Sequence, residues 1–276
     1  MSLFCCPICA AQLTQGEKIY ACPNGHSYDR AKEGYIHLLP ANRMHSKTPG
    51  DDKEMAMARN RFLSGDHYSV LRDALCTLAI GYAEQKTTLL DSGCGEGYYT
   101  DGLFHSLTGA GKKPSVAGVD LSKPSLKYAA RRANGVEFAV ASVYHLPVAD
   151  QSVDLLVNCF SPLALDEFRR VLKGNGIFLY VVPAADHLWE LKQVLYDKPY
   201  RNHEEDTPYD GFSYESVSEI KTTLHLENRE VVQDLFRMTP YYWKTPKEGA
   251  LRLSELKELD VTASFRIHVF RRDRRA

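Results

Sequence analysis

Hydrophobic positions between residues 54 and 183 alternate between two periods. Residues 68–84 (YSVLRDALCTLAIGYAE) place apolar side chains three and four apart, the spacing of a helix with one buried face. Residues 87–91 (TTLLD) are a short strand leading into glycines. The pattern then predicts a helix over 98–107, strands over 116–120 and 136–141 around a helix over 124–134, and a strand over 153–160. An amphipathic helix over 163–172 is closed by Gly174-Asn175-Gly176. Residues 177–182 (IFLYVV) are almost wholly apolar, as a strand covered on both faces should be. Strands separated by helices of this length imply a parallel sheet, so the fold class is α/β.

Residues 1–40 break this rhythm. They are rich in Cys, Pro, Gly and Tyr, and a polar stretch with a Pro49-Gly50 turn follows. The chain therefore divides into a small module (1–40), a linker (41–60) and a large domain (61–276). The apolar run at 3–11 has no basic residue ahead of it and is broken by Pro7, so no export signal is read. The seven cysteines are then expected reduced, in a cytoplasmic setting, and clustered ones read as metal ligands before disulfides. Thirty-four Lys plus Arg against thirty-five Asp plus Glu leave a net charge of −1 over 276 residues. Nucleic acid could then be held only by local basic patches. No stretch approaches the ~18 apolar residues of a membrane helix.

Cys6, Cys9, Cys22 and His26 form the pattern C-x2-C-x12-C-x3-H. Two thiolates from one tight knuckle and a second pair from a later turn complete a tetrahedron suited to zinc, closed and structural. Reduced buried thiols are the plainer reading, but forty residues supply little core without a metal. Cys5 stands beside Cys6 and leaves the first ligand open. Residues 28–39 lack the long helix of a DNA-binding finger.

Asp91-Ser92-Gly93-Cys94-Gly95-Glu96-Gly97-Tyr98 joins a strand to a helix through three alternating glycines. The spacing is G-x-G-x-G and not the dinucleotide G-x-G-x-x-G. Asp91 opens the loop, where it favours a cationic ligand over a phosphate. Asp120 ends the next strand, placed to accept two ribose hydroxyls.

The runs LLDSGCGEGYYT, GVDLSK, LPVADQSVDLLVNCFSP and FRRVLKGNGIFLYVVP resemble the class I S-adenosylmethionine-dependent methyltransferases. That resemblance implies a seven-stranded, mostly parallel Rossmann-like sheet. Its closing antiparallel hairpin is expected from His225 onward, with residues 265–270 (FRIHVF) alternating. Over nearly the whole chain, the zinc pattern, AKEGYIHLLP and PGDDKEMAMARNRFLSGDHY are similar to the bacterial 23S rRNA guanine-N1 methyltransferases. These act on the loop of hairpin 35, and their Gram-positive branch is linked to tylosin-type macrolide resistance. Two departures stand out: Ser92, where an aliphatic residue is usual, and Val182-Pro183-Ala184-Ala185 in place of a Pro-Gly turn.

Matched position by position, the resemblance implies that Gly95 and Glu96 contact the methionine part of the cofactor and Asp120 its ribose. Tyr68 and His187 would be further cofactor contacts, with helix-cap packing and a surface histidine as their plainer readings. Ser142 would lie near the adenine. The resemblance also implies 23S rRNA as partner and a homodimer around it.

Guanine N1 carries a proton and lies on the Watson–Crick edge, so the target must be unpaired or flipped out. Asn158-Cys159-Phe160-Ser161-Pro162 sits where related enzymes take the acceptor; Phe160 reads as core, with base stacking as its alternative. No residue is named as catalytic base. For RNA contact the candidates are Lys47, Lys53, Arg59 and Arg61, then the basic run from Arg271 to Arg275. Residues 197–211 read as an insertion lying over the site as a lid. Methylation of a small metabolite, or of another RNA, is the alternative the residues leave open.

Overall fold

The structure is a computed structural model that describes residues 2–40, 50–204 and 208–274. A three-stranded antiparallel sheet, β1 (Thr14–Gln15), β2 (Ile19–Ala21) and β3 (Ser27–Asp29), forms most of the N-terminal module. The module's last strand, β4 (Ile36–His37), leaves it and pairs elsewhere.

Helices α1 (Lys53–Ser64) and α2 (Ser69–Tyr82) lead into the alternating part. There follow β5 (Lys86–Ser92), α3 (Tyr98–Gly109), β6 (Lys113–Asp120), α4 (Lys123–Arg132), β7 (Glu137–Val140), β8 (Val153–Cys159), α5 (Leu165–Val171) and β9 (Leu172–Pro183). The chain ends with α6 (Trp189–Leu195), β10 (Phe212–Leu226), α7 (Arg229–Arg237), a 3-10 turn at Pro240–Trp243, α8 (Lys247–Glu255) and β11 (Leu259–Arg272).

The large sheet runs β10-β11-β9-β8-β5-β6-β7-β4. Strands β9 to β4 in that order pair in parallel, and β11 reverses against both β9 and β10. The expected seven strands are present, and an eighth is added by β4, whose Ile36 and His37 pair with Ala139 and Val140 of β7. The closing pair begins at Phe212 and not at His225, and residues 227–258 are a helical insertion between its strands. Residues 265–270 do form strand, but none of them faces solvent, because the sheet is covered on both sides there.

Apolar side chains of α2, α3, α6 and α7, among them Leu71, Leu103, Leu191 and Leu235, cover one face. The other face carries Phe168 of α5 together with Phe4, Leu13 and Tyr20 of the N-terminal module. The module is thus tied to the sheet by a shared core as well as by β4. Asp52 caps α1 by accepting the Glu54 and Met55 amides, so helix already occupies residues 53–60 of the expected linker. Residues 41–49, with Lys47, lie outside the described residues. Ser92 is fully buried, and its hydroxyl has no partner among the described residues. After β9 the Ala184 amide donates to Ser264 O at 3.0 Å, and Leu188 takes a left-handed conformation at the start of α6. The turn at 182–185 is therefore held by β11.

Candidate cofactor cavity and metal centre

The four N-terminal donor atoms converge. Cys6 Sγ and Cys22 Sγ lie 3.6 and 3.4 Å from His26 Nδ1, and Cys9 Sγ lies 3.7 Å from Cys22 Sγ. All four lie within 4.8 Å of one another. Zn–S bonds of ~2.3 Å and Zn–N bonds of ~2.0 Å set tetrahedron edges of about 3.8 Å between sulfurs and about 3.5 Å from sulfur to nitrogen. The residues therefore fit a closed zinc site. Cys5 is outside it, its Sγ turned to Gln12 Oε1 at 4.0 Å, and Cys6 is the one of the two that lies in the cluster. The Tyr28 hydroxyl lies 2.9 Å from Cys6 Sγ, placed to donate to a thiolate. A hydrogen bond from Asn24 brings the Cys9 thiol down to about 7.

At the C-terminal ends of β5, β6 and β8 a cavity of about 410 Å³ opens. Its floor is the glycine loop. Gly93, Gly95 and Gly97 all have positive φ. At Gly93 a Cβ would lie 2.0 Å from Ser161 Oγ, and at Gly97 it would meet Ala129 Cα at 2.8 Å. Only glycine serves at those two places. Asp120 Oδ2 accepts the Gly95 amide at 2.9 Å and Oδ1 accepts the Ser122 amide at 2.7 Å, so this acid shapes the loop from the neighbouring strand.

Tyr68, Asp91, Gly93, Gly95, Glu96 and Asp120 line this cavity. Asp91 is buried, its Oδ2 accepting from the Thr100 hydroxyl at 2.6 Å and its Oδ1 without a partner among the described residues. Burial raises its carboxyl to about 7. Glu96 projects away under the loop, 2.6 Å from Arg132 Nη2. Burial raises its carboxyl even against that guanidinium.

Three expected positions stand back from the cavity. Gly97 caps α3 and lets it approach α4. Ser142 caps a turn whose next two residues, Val143 and Tyr144, are the ones that reach the wall. His187 is neither a surface histidine nor a lining residue. It is buried, its Nδ1 accepts the Ser264 amide at 3.2 Å, and its ring packs 6.1 Å from Tyr68 and 4.7 Å from Phe265. Tyr68 is more than a cap, since its hydroxyl is buried at the wall without a partner among the described residues.

Other expectations are corrected. Phe160 is not core: it lines the cavity with 41% of its surface exposed. Arg59 and Arg61 are engaged inward. Arg59 holds Asp51 at 2.8 Å and Met238 O at 2.9 Å at the cavity wall, and Arg61 clamps the buried Asp234. Lys53 is exposed. The C-terminal basic run begins in strand, where Arg271 pairs with Glu215 and Arg272 is buried with a hydrogen bond to Leu172 O, and its Arg275 lies outside the described residues. Of residues 197–211, none that is described lines the large cavity. Lys192 anchors Tyr200 and Asn202, and His203, Glu204 and Tyr209 border a second cavity of about 270 Å³ on β9 and β11. Tyr99 and Cys159 also reach the wall, from runs the sequence marked without assigning them a role, and Met238 joins them from a segment that carries no motif.

An unpaired carboxylate oxygen beside a glycine cradle and a carboxylate at the next strand end suits a cationic amino acid joined to a nucleoside. The residues fit S-adenosylmethionine.

Comparison with known proteins agrees. Residues 4–47 match a zinc-ribbon family model described as RlmA, N-terminal, and residues 83–232 match one described as Methyltransferase domain. YxjB of Bacillus subtilis (strain 168), whose name provisionally assigns it as a 23S rRNA (guanine-N(1)-)-methyltransferase, is 31% identical over 95% of this chain and 94% of its own. The 23S rRNA (guanine(748)-N(1))-methyltransferase of Streptomyces fradiae is 32% identical over 96% and 95%. The crystal structure of the Bacillus subtilis YcgJ protein superposes with a TM-score of 0.51 at 15% identity, over 75% of this chain and 99% of that one, a likeness of fold alone. With the zinc ribbon, the glycine loop and the full-length relatives in agreement, the chain belongs to the RlmA-like family of 23S rRNA (guanine-N1)-methyltransferases.

Proposed function

We propose that this enzyme methylates N1 of a guanine in the hairpin 35 loop of 23S rRNA. S-adenosylmethionine supplies the methyl group when bound. The observation that carries the reading is the cavity itself, whose wall holds the unpaired Asp91 oxygen, the glycine loop and the displayed Phe160 ring together.

In this reading Asp91 faces the cofactor's ammonium group, and the backbone of Gly93, Gly95 and Glu96 borders its methionine part. Each Asp120 oxygen accepts one amide and keeps a lone pair for a ribose hydroxyl. Tyr68 closes the wall, His187 braces the Tyr68 ring, and Gly97 and Ser142 set the positions of the elements around them. Cys6, Cys9, Cys22 and His26 hold one structural zinc, making residues 1–40 a zinc-binding, RNA-recognition module ahead of the linker (41–60) and the catalytic domain (61–276). A homodimer around the RNA belongs to the same proposal.

The test is methyl transfer from labelled cofactor to unmethylated 23S rRNA, with the modified nucleotide mapped by a reverse-transcription stop. A stop in the hairpin 35 loop supports the reading. A match to guanine 748, the position named for the Streptomyces fradiae relative, would give the two chains the same target; a link to macrolide resistance would then be tested by expressing the chain in a sensitive host. Cofactor binding with no label in any rRNA would reject it in favour of a small-molecule acceptor.

A further inference from the structure

Two phenolic hydroxyls at the cavity wall, Tyr68 and Tyr99, are buried with no hydrogen-bond partner among the described residues. A buried unpaired hydroxyl is costly, and a bound ligand that accepts from it recovers that cost. Tyr68 belongs to the wall already assigned to the cofactor. Tyr99 stands nearer the displayed ring. It is the second residue of α3, and its ring lies 6.5 Å from that of Phe160.

Phe160 is itself held in an unusual state. It follows β8 with φ +55, a conformation that is strained for a bulky residue and persists only where its surroundings impose it. The surroundings are plain. Its amide donates to Val181 O at 3.2 Å, and the Asn158 side chain donates to Ser92 O at 3.3 Å and to Pro162 O at 3.1 Å. Ser161 fills the space that the missing Gly93 Cβ leaves. The ring rests against Phe265 at 5.7 Å and stands open toward the cavity.

Resting on the acceptor reading above, we propose that the target guanine stacks on Phe160 and that the Tyr99 hydroxyl donates a hydrogen bond to its O6. Loss of the N1 proton to solvent water leaves the electron pair shared between N1 and O6. A donor at O6 stabilises that charge where it develops. The nitrogen pair then bonds the methyl carbon, whose former bonding pair stays with the donor sulfur, giving N1-methylguanine, a neutral thioether and one proton in solvent. Burial raises the Tyr99 phenol well above its ordinary range, so it remains a donor.

The experiment uses full-length Tyr99→Phe and Phe160→Leu proteins on a hairpin 35 transcript at saturating cofactor, from about pH 6 to about pH 9. S-adenosylhomocysteine affinity is measured in parallel by calorimetry. Tyr99→Phe should bind S-adenosylhomocysteine like wild type, lose about 100-fold in kcat, and shift the rise of kcat toward higher pH. Phe160→Leu should raise KM for RNA and leave the pH profile in place. Wild-type kcat and pH profile in Tyr99→Phe would overturn the proposal. So would lost S-adenosylhomocysteine affinity with kcat intact at saturation, which hands the hydroxyl to the cofactor. A wild-type protein inert on the transcript is a different failure, visible in the control, and removes the acceptor reading as well.

Discussion

The Asp120 carboxylate and the Gly95 amide are joined at 2.9 Å, so the acid that ends β6 sets the loop that follows β5. Its second oxygen takes the Ser122 amide at the start of α4. One side chain thus fixes three segments at the point where a ribose would enter. Asp120→Ala should weaken S-adenosylhomocysteine binding about 100-fold, the worth of two hydrogen bonds to a charged group. Calorimetry reads this, and unchanged affinity would place the ribose elsewhere.

Glu96 is buried beneath the loop with Arg132 as its charge partner. Arg132 also donates to Ser64 at 2.9 Å and to Asn60 at 3.2 Å, tying α1 to α4. Arg132→Ala takes the hydrogen-bonded guanidinium from a carboxylate out of water, leaving it only the Arg59 charge, and should cost ~3 kcal/mol in a urea unfolding series. Adding Glu96→Gln should recover part of that loss. No recovery would mean that Arg132 acts through α1 and not through Glu96.

His187 is held neutral. Burial, aided by the Lys192 charge, lowers its imidazole to about 3. The unfolded chain takes up a proton near pH 6.5, so this group favours the fold above that pH. Its contribution is lost as pH falls from about 6.5 through about 3. His187→Gln should flatten the fall of thermal stability over that window, and an unaltered acid limb would clear His187 of the effect.

The N-terminal donors make a clear forecast for the two neighbouring cysteines. After dialysis, Cys5→Ser should retain one zinc per chain, while Cys6→Ser and Cys22→Ala should lose it. Because the metal and the fold of a small module are coupled, the last two should also melt at lower temperature. Metal retained in Cys6→Ser with loss in Cys5→Ser would reverse the ligand assignment.

The alternating strands and helices from residue 68 to 183 were legible because each buries a face at its own period, and the glycine loop because its backbone admits no other residue at Gly93 or Gly97. What stayed hidden depends on partners far away in the chain. Ile36-His37 is too short to announce a strand and becomes one only against Val140. Phe160 reads as the end of an apolar run, and only the Val181 carbonyl and the Asn158 amide turn it outward. Arg59 and Arg61 look like a basic patch until Asp51 and Asp234 meet them. His187 was close in space to its expected role but one ring removed, with Tyr68 between.

A sheet ends in two open edges, each a row of unpaired amides and carbonyls that can recruit a second chain. At one edge, β10 displays Glu215, Glu219 and Lys221, charges that discourage such pairing. The other, β7, is a run of buried apolar residues, Phe138-Ala139-Val140, and its open side is taken by β4. Through β4 the N-terminal module therefore also covers an apolar strand that would otherwise stand bare. A variant that cannot pair there, Ile36→Pro, should expose that edge, and concentrated protein should turn turbid ahead of any change in cofactor affinity.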